Sequence, residues 1–372
     1  MIPVAEPLLG EGELRNVIDC IKSGWISSRG SYITEFEKQF SRYCGVRYGV
    51  TTTSGTTALH LALAALGLKK GDEVILPAFT MIASANAIVY TGATPVLVDA
   101  EPDTWNMDAS KIEEKITERT KAIMPVHIYG HPVDMDPLLE MAQEHDLYVV
   151  EDAAEVHGAE YKGRKAGGLG DAGCFSFYAN KIITTGEGGM VVTNDEGIYE
   201  RASLLKDLAF TKDRTYVHRA LGYNYRMTNL QAAIGLAQLE RIEENVSIKR
   251  RNAALYNRLL EGIDGITTPT ERPWAKNVYW MYAILVEDAF GLSRDELRAR
   301  LLEKGVDTRA FFVPMHLQPV FQGMGLFVGE RYPVAEELSR KGLYLPSGLT
   351  LTEGQIREVC GALEEIKREA KG

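Results

Sequence analysis

Three separate segments of the chain carry side chains that could take part in chemistry. Lys181 lies between an aromatic run at residues 175–178 and a glycine cluster at residues 186–189. Asp152 ends an apolar segment, and a carboxylate at the carboxyl end of a parallel strand lies where α/β folds bind ligands. Residues 54–57, Ser-Gly-Thr-Thr, precede an apolar helical pattern, and the free amides of a helix N-terminus bind anions. An amine, a carboxylate and an anion cradle are therefore candidates for a single site.

Each of these signals has an ordinary explanation when it is taken alone. Most lysines are solvated, most strand-end aspartates are structural, and many helices begin with Ser or Thr. Together, however, the three segments supply what a pyridoxal phosphate (PLP) enzyme requires. These requirements are an amine for the Schiff base, a carboxylate for the pyridinium nitrogen and a cradle for the phosphate. The combination therefore predicts a PLP site.

Two further motifs suggest other kinds of site but fail on their context. Residues 168–173, GLGDAG, match the dinucleotide pattern G-x-G-x-x-G, but a strand-like run follows where that fingerprint needs a helix. Residues 127–136, HIYGHPVDMD, contain histidine and aspartate, but no spacing among them matches a known metal site. We therefore expect a turn between strands at the first motif, a strand end and helix start at the second, and no bound metal.

Composition and charge restrict the class of protein. The chain has 372 residues, 45% of them hydrophobic, which predicts a globular protein with a sizeable core. The 41 basic and 51 acidic residues give a net charge of −10, which argues against general nucleic-acid binding. The N-terminus lacks the pattern of a signal peptide, and no apolar run is long enough to span a bilayer. Four scattered cysteines predict buried, reduced thiols, so we expect a cytoplasmic protein without membrane contact.

Short apolar segments alternate with helical patterns along most of the chain. This alternation predicts an α/β fold with a mostly parallel sheet covered by helices on both faces. The predicted strands lie at residues 72–77, 93–99, 121–130, 146–152, 174–177, 188–194 and 278–286. The predicted helices lie at residues 56–68, 136–146, 230–263, 293–304 and 352–371. We place a domain boundary inside the long helix, near residue 245, between a large unit (1–245) and a small unit (246–372).

Longer motifs give this pattern a family resemblance. EDAAEVHGA, CFSFYANKIITTGEGGMVVTND and GYNYRMTNLQAAIGLAQL resemble the DegT/DnrJ/EryC1/StrS family of sugar aminotransferases, as do TSGTTALHLAL, PAFTMIASANAI and TRAFFVPMHLQP. The motifs run in family order from about residue 2 to residue 365. The resemblance implies the type I fold of PLP-dependent transferases, as in aspartate aminotransferase. That fold has a large domain with a seven-stranded, mostly parallel sheet and a small C-terminal α/β domain. It also implies a homodimer with active sites at the subunit interface.

The resemblance assigns two catalytic residues and three residues around the cofactor ring. Lys181 matches the lysine that links to the cofactor aldehyde and later moves protons as a base. Asp152 matches the carboxylate that pairs with the pyridine nitrogen. Glu155 matches a position near the phenolic oxygen, and Ala154 matches a position against one ring face. Met81 stands where the family commonly has an aromatic residue on the other face, and a thioether can also pack there.

The resemblance also implies residues for the phosphate and for the substrate. Gly55, Thr56 and Ser176 match phosphate-binding positions, together with Asn224 of the partner subunit. The residues implied for the sugar pocket are Trp25, Ser27, Ser28, Arg309 and His316. A basic cluster just before the asparagine either meets the substrate's diphosphate across the dimer interface or forms a solvated loop. Its members are Lys212, Arg214, His218 and Arg219.

These assignments predict an aminotransferase that moves an amino group from glutamate to a nucleotide-linked keto-sugar. Within the family, ANKIITTGEGG and NYRMTNLQAAIGLAQLER are most similar to members that convert GDP-4-keto-6-deoxymannose to GDP-perosamine. A different UDP- or dTDP-keto-sugar is an alternative acceptor. A sugar dehydratase on the same scaffold is a second alternative, but such relatives carry His at the position of Lys181. A non-catalytic relative is a third, and the joint presence of Asp152, Ser176, Lys181 and Asn224 argues against it.

Overall fold

Short segments rich in β-branched and apolar residues form the strands, as their composition predicts. The computed structural model describes residues 1–211 and 216–371. Its strands are β1 (Tyr48–Thr52), β2 (Glu73–Pro77), β3 (Thr94–Val98), β4 (Thr120–Ile123), β5 (Tyr148–Asp152), β6 (Glu160–Tyr161), β7 (Arg164–Lys165), β8 (Ala172–Ser176), β9 (Gly189–Thr193), β10 (Ile266–Thr267), β11 (Ala275–Lys276), β12 (Tyr282–Val286), β13 (Arg309–Ala310) and β14 (Gly342–Leu345). Its α-helices are α1 (Glu11–Ser23), α2 (Ser31–Tyr43), α3 (Gly55–Leu66), α4 (Ile82–Thr91), α5 (Met135–Glu144), α6 (Glu196–Lys206), α7 (Asn229–Leu239), α8 (Ile242–Leu260), α9 (Arg294–Glu303), α10 (Pro319–Gly323), α11 (Pro333–Lys341) and α12 (Glu353–Lys371).

A seven-stranded sheet in the order β1-β9-β8-β5-β4-β2-β3 forms the centre of the molecule. Strands β3, β2, β4, β5 and β8 are parallel to one another, and β9 is antiparallel to both of its neighbours. The predicted α/β class with a seven-stranded, mostly parallel sheet is therefore confirmed. Strand β1 was not predicted, because its short sequence, YGVTT, has little apolar character.

Helices cover both faces of this sheet, because successive side chains of each strand point in opposite directions. Val74 and Val150 pack into a hydrophobic cluster with residues of α3 and α4. Ile75 and Val149, their neighbours in sequence, pack into a different cluster with Leu138 of α5. The near-continuous apolar character of β2 and β5 follows from this burial on both sides.

The C-terminal part of the chain builds a second, antiparallel sheet in the order β10-β12-β14-β13. Tyr256 of α8 stacks on Tyr282 of this sheet, with ring centroids 4.4 Å apart. The N-terminal segment joins the same unit, because Ile2 forms a bridge with Val306. The predicted boundary near residue 245 falls near the start of α8. The division of the chain into two domains at that point stays a prediction.

The prediction of one continuous helix over residues 230–263 is wrong, because α7 and α8 are separate helices. Arg241 lies between them with φ −111° and ψ 9°, outside the helical region. Its guanidinium binds the carboxylate of Glu13 and the backbone oxygen of Leu8. The chain therefore bends where Arg241 reaches the N-terminal segment, a contact that local periodicity does not contain.

Two predicted strands are longer than the observed ones. The segment predicted at residues 121–130 forms β4 and one further bridge, between Val126 and Asp152, and it ends before Tyr129, which has φ 52°. The segment predicted at residues 278–286 becomes a strand only at Tyr282, the start of β12, and Tyr279 before it has φ 47°. A residue in the left-handed region cannot continue a strand, so each extended segment is interrupted there.

The glycine motif at residues 168–173 forms a turn between β7 and β8, as predicted. The amides of Leu169 and Gly170 each donate to Glu151 Oε1 at 2.7 Å. The histidine-containing segment is also structural, since His127 Nδ1 accepts a hydrogen bond from the Val133 amide. His127 Nε2 therefore carries the hydrogen and donates to Glu151 Oε2 at 2.9 Å. Both motifs thus bind the same buried carboxylate, that of Glu151.

All four cysteines are buried and unpaired, as predicted. Within residues 1–211 and 216–371, no helix combines the length and apolar character needed to cross a bilayer. In the same ranges, no group of three or more His, Cys, Asp and Glu side chains is placed to hold a metal ion.

Candidate active site

The carboxyl ends of β5 and β8 open into a cavity of about 360 Å³. The N-terminus of α3 and the start of α4 form part of its wall, and the loop after β8 carries Lys181 into it. Eight of the residues predicted for the cofactor or for catalysis line this cavity: Gly55, Thr56, Met81, Asp152, Ala154, Glu155, Ser176 and Lys181. The fold therefore brings the three chemical segments of the sequence to one place.

Lys181 lies inside the protein with its amine near two carboxylates. Its Nζ is 3.9 Å from Glu155 Oε1, and its side chain is only 9% exposed. Burial lowers the pKa of the Lys181 amine, although the charges of Glu155 and Asp152 oppose this shift. Burial also raises the pKa of Glu155 to about 7, against the opposing charge of Lys181. Burial thus shifts both groups toward their uncharged forms, and an uncharged amine is a nucleophile and a base.

Asp152 ends β5 with its carboxylate held by two hydrogen bonds. Ser84 Oγ of α4 donates to Oδ2 at 2.7 Å, and the amide of Ala154 donates to Oδ1 at 3.2 Å. Burial raises the pKa of Asp152, although the Ser84 hydroxyl, the Ala154 amide and the charge of Lys181 oppose this shift. The carboxylate is therefore fixed in orientation and suited to pair with a protonated ring nitrogen.

The N-terminus of α3 supplies the anion cradle. Ser54 and Thr57 cap the helix reciprocally: Thr57 N donates to Ser54 Oγ at 3.2 Å, and Ser54 N donates to Thr57 Oγ1 at 2.9 Å. The amides of Gly55 and Thr56 belong to the first turn and have no acceptor inside the helix, so they can bind an anion. Gly55 also permits the close approach of β8, because a Cβ there would lie 2.7 Å from Ser176 Cβ.

Aromatic side chains from the C-terminal part of the chain complete the cavity. Trp280, Phe312 and Tyr344 line it, and the Trp280 ring centroid lies 3.6 Å from Lys181 Nζ. Met81 lies on the cavity wall with 47% of its surface exposed. The amine of Lys181 thus has carboxylates and an aromatic face as its immediate neighbours.

Comparison with known proteins tests the resemblance seen in the motifs. The DegT/DnrJ/EryC1/StrS aminotransferase family matches residues 7–364. The chain belongs to this family. It is therefore an enzyme, a PLP-dependent aminotransferase of the sugar aminotransferase type, and the resemblance and cofactor predicted from the sequence are confirmed.

Individual family members are similar over nearly the full length of the chain. A GDP-perosamine synthase from Caulobacter vibrioides is 47% identical over 366 residues, which cover 98% of each chain. A GDP-perosamine synthase from Escherichia coli O157:H7 is 46% identical over 365 residues, again 98% of each chain. The solved structure of the putative sugar aminotransferase Spr1654 from Streptococcus pneumoniae, in its PMP form, matches with a TM-score of 0.93 and 29% identity. That match covers 100% of this chain and 98% of the other.

The cavity residues fit the cofactor of this family. They provide an amine for an aldehyde (Lys181), a carboxylate for a ring nitrogen (Asp152) and free amides for a phosphate (Gly55 and Thr56). Asn180 Oδ1 is buried at the wall and has no hydrogen-bond partner among the described residues, so it can still accept one from a ligand. The cavity residues therefore match the aldehyde, the ring nitrogen and the phosphate of PLP.

Several predicted residues lie outside this cavity of the single chain. Asn224 Oδ1 accepts a hydrogen bond from Arg226 Nε at 3.0 Å and does not reach the cavity of its own chain. Trp25, Ser27 and Ser28 lie in the loop after α1. That loop is tied to α7, because Asn229 donates through Nδ2 to the oxygen of Trp25 and through its amide to the oxygen of Ser27. Their roles stay predictions.

The remaining predicted residues are also apart from the cavity. Arg309 lies in β13 opposite Tyr344, a cavity residue, and its Nη1 donates to the oxygen of Thr308 at 3.0 Å. His316 is 1% exposed, and its Nε2 lies 3.1 Å from Glu336 Oε1. Of the basic cluster, His218 and Arg219 are exposed, whereas the other two members, Lys212 and Arg214, lie outside the described residues. The substrate roles of these residues stay predictions.

Sequence reasoning missed several residues at the site, among them Ser84, Asn180, Trp280, Phe312 and Tyr344. Ser84 lies three positions after Met81 in a quoted motif, and Asn180 precedes Lys181, so proximity to predicted residues could have found both. Phe312 carries the same signal, since it lies three positions after Arg309 in another of these motifs, whereas Trp280 and Tyr344 carry none. Aromatic residues in apolar segments are most often part of the core, and only the folded chain shows which of them reach the cavity.

Proposed function

We propose that the chain transfers an amino group from glutamate to GDP-4-keto-6-deoxymannose and forms GDP-perosamine. The observation that carries the choice of acceptor is the identity of 46–47% to two proteins named GDP-perosamine synthase, over 98% of the chain. The buried amine of Lys181, 3.9 Å from Glu155 and joined by Asp152 in one cavity, supports the amino-transfer chemistry. A different UDP- or dTDP-keto-sugar is the competing acceptor.

Each cavity residue has a distinct task in this reaction. When bound, PLP supplies an aldehyde for the amine and a ring that accepts electrons from the reacting carbon. Lys181 Nζ would hold the cofactor through its aldehyde, and once the amino donor has taken its place, the free Nζ would be the base that takes the proton from the donor's α-carbon and gives it up again. Asp152 would hold a proton at the ring nitrogen, and Gly55, Thr56 and Ser176 would bind the phosphate. In the second half of the cycle Lys181 would move a proton in the reverse direction, so that the amino group is left on the sugar.

The proposal includes a homodimer. Asn224 lies outside the cavity of its own chain, so a second copy is needed to bring this side chain to a phosphate. His218 and Arg219 precede it and would approach the substrate's diphosphate at the same interface. A cytoplasmic location is also proposed, since the four cysteines are buried free thiols. Recovery of the chain from a periplasmic or secreted fraction of its native cells would argue against that location.

The direct test is an amination assay with a panel of acceptors. We expect purified, PLP-loaded protein to consume glutamate and aminate GDP-4-keto-6-deoxymannose, with the amino sugar identified by mass spectrometry. UDP- and dTDP-linked keto-sugars should be turned over at least about tenfold less efficiently, since a buried polar contact to the correct base contributes about 1–3 kcal/mol. Equal or better turnover of a UDP- or dTDP-sugar would overturn the GDP assignment.

A matched pair of lysine variants controls this assay. Lys181→Ala should abolish both halves of the cycle and the absorbance of the lysine-linked cofactor, because no other amine among the described residues lines the cavity. Lys69→Ala removes an exposed lysine in the loop after α3 and should leave turnover unchanged. Residual turnover by Lys181→Ala above about a thousandth of the normal rate would contradict the role of this amine.

A further inference from the structure

Trp280 is the closest aromatic neighbour of the Lys181 amine, and the mechanism above does not use it. Its ring centroid lies 3.6 Å from Nζ, well within the distance at which an ammonium is attracted to the face of an indole. The side chain is 4% exposed, so water screens this attraction little. The other charged neighbours of the amine are Glu155 and Asp152.

Hydrogen bonds to the residues on either side of Lys181 fix the lysine segment next to the Trp280 indole. Trp280 Nε1 donates to the oxygen of Asn180, the residue before Lys181, at 2.9 Å. On the other side of the lysine, Asn245 Nδ2 of α8 donates to the oxygen of Ile182 at 3.0 Å. Helix α8 therefore binds the lysine segment through Asn245, and the Trp280 indole binds the same segment through the oxygen of Asn180.

The same face of α8 also binds the backbone of Trp280. Lys249 lies four residues after Asn245, so both side chains project from one side of the helix. Lys249 Nζ donates to the backbone oxygen of Trp280 at 2.7 Å and also binds the oxygen of Ser347. Lys249 is 4% exposed, and both of these partners are neutral carbonyls. Burying a lysine without a carboxylate partner costs free energy of folding. This cost points to a specific use for the two hydrogen bonds of Lys249.

We propose that Trp280 is a further catalytic residue, whose indole face binds the Lys181 ammonium while Nζ carries a proton. In this arrangement Lys249 positions Trp280, and Asn245 positions the segment that carries Lys181. Between taking a proton from one carbon and delivering it to another, Nζ is an ammonium in a buried cavity. The indole face stabilises this charge without competing for the proton, because an aromatic ring is no base. The inference rests on the proposed role of Lys181 and is independent of which sugar accepts the amine.

The test measures the protonation of Lys181 directly, in full-length protein freed of cofactor. Trace acetylation with acetic anhydride labels only unprotonated amines, and mass spectrometry of the Lys181 peptide gives the labelled fraction from pH 6 to pH 10. The exposed Lys69 serves as an internal standard. A variant that makes Lys181 more accessible to the reagent changes the plateau of the curve of labelled fraction against pH. A variant that destabilises the Lys181 ammonium changes the midpoint of that curve.

The expected result is a midpoint displaced to lower pH by about one unit in Trp280→Leu, because the cation–π attraction is lost. Trp280→Phe keeps a ring and should show a smaller displacement. Lys249→Met should displace the midpoint in the same direction, and Trp274→Leu, a half-buried tryptophan elsewhere, should not. Circular dichroism confirms that each variant is folded.

Two outcomes would overturn the inference. An unchanged midpoint in Trp280→Leu would exclude ammonium binding by the indole. An unchanged midpoint in Lys249→Met would remove Lys249 from the positioning role. Neither result depends on PLP or a sugar, so a failure here is distinct from the absence of an amino-sugar product, which would refute the proposed function.

Discussion

Two adjacent acidic residues, Glu151 and Asp152, have different tasks because successive side chains of a strand point to opposite faces. Glu151 is fully buried. Burial alone would raise its pKa, but hydrogen bonds from His127 and from the amides of Gly167 and Gly170 outweigh it, so its pKa is lowered. Asp152 turns to the cavity, where Ser84 donates to it. The first carboxylate organises a loop, and the second is available for chemistry.

Lys249 gives a residue-scale prediction about stability and pH. Burial lowers the pKa of its amine from 10.5 to about 7. Between about pH 7 and 10.5 the unfolded chain therefore binds more protons at this site than the folded chain, and this group makes stability rise with pH there. Relative to Lys249→Met, the wild-type free energy of unfolding should increase by up to about 1.4 kcal/mol per pH unit in that window, with no such difference in slope well below pH 7.

Denaturant unfolding of cofactor-free protein at pH 6, 7.5 and 9 measures this slope. Lys69→Met, which removes an exposed lysine, serves as the control and should run parallel to the wild type. Parallel wild-type and Lys249→Met curves across all three pH values would show that the folded-state amine keeps an ordinary pKa.

At the scale of elements, the contact between the N-terminus of α3 and the end of β8 forms the cradle. This contact depends on a missing side chain, because a Cβ at Gly55 would lie 2.7 Å from Ser176 Cβ and 3.3 Å from Ser176 Cα. The helix is otherwise well capped by Ser54 and Thr57 and packs on both β8 and β9. The geometry of the cradle is therefore set by two elements together and by neither alone.

Gly55→Ala should separate these two elements and weaken cofactor binding. The overpacked contact should cost about 1–3 kcal/mol, which corresponds to a rise of roughly tenfold or more in the Kd for PLP. Titration of cofactor-free protein with PLP, followed by absorbance, measures it. Gly361→Ala lies within α12, where a Cβ meets nothing within 4 Å; it should leave the Kd unchanged and raise stability by about 0.5–1 kcal/mol. An unchanged Kd in Gly55→Ala would show that the close approach is dispensable.

At the scale of the whole molecule, α1 has an unusual distribution of side chains. Leu14, Ile18 and Ile21 are exposed by 54%, 40% and 64% and follow one stripe of the helix. The inward side is polar, since Glu13 is buried and Asn16 donates to the oxygen of Ala233 at 3.1 Å. An apolar stripe facing outward is typical of a surface that another protein covers. We propose that this protein is a second copy of the chain, which would also explain why Asn224, predicted to bind the phosphate, lies outside the cavity of its own chain.

The dimer is tested by sedimentation. Purified protein should sediment at twice the chain mass of 41.2 kDa, and the double variant Leu14→Asp, Ile18→Asp should sediment at the chain mass. A charge placed in an apolar interface is desolvated on association, which opposes the contact. Leu302→Asp, at a position 52% exposed on α9, is the control and should remain dimeric. A wild-type protein that is monomeric at micromolar concentration would contradict the proposal.

Short-range patterns predicted most of the fold and the chemical centre. Alternation of apolar strands and helices predicted the sheet. The residue types at Lys181, Asp152 and Gly55 predicted PLP as the cofactor, which the family match confirms, and the structure places all three residues in one cavity. These predictions succeeded because strand character, helix capping and side-chain type are properties of short segments. The break between α7 and α8 could not be predicted, because Arg241 binds a residue far away in the sequence.

The sequence by itself determined the family and the cofactor and predicted the lysine that binds it, since each follows from residue types within continuous motifs. Only the tertiary structure decided that Trp280 covers the Lys181 amine and that Lys249 holds it there. It also decided that Ser84 steadies the Asp152 carboxylate. The physical reason is that burial, pKa shifts and hydrogen bonds of this kind arise between segments distant in the chain, and they exist only once packing has removed water from between them.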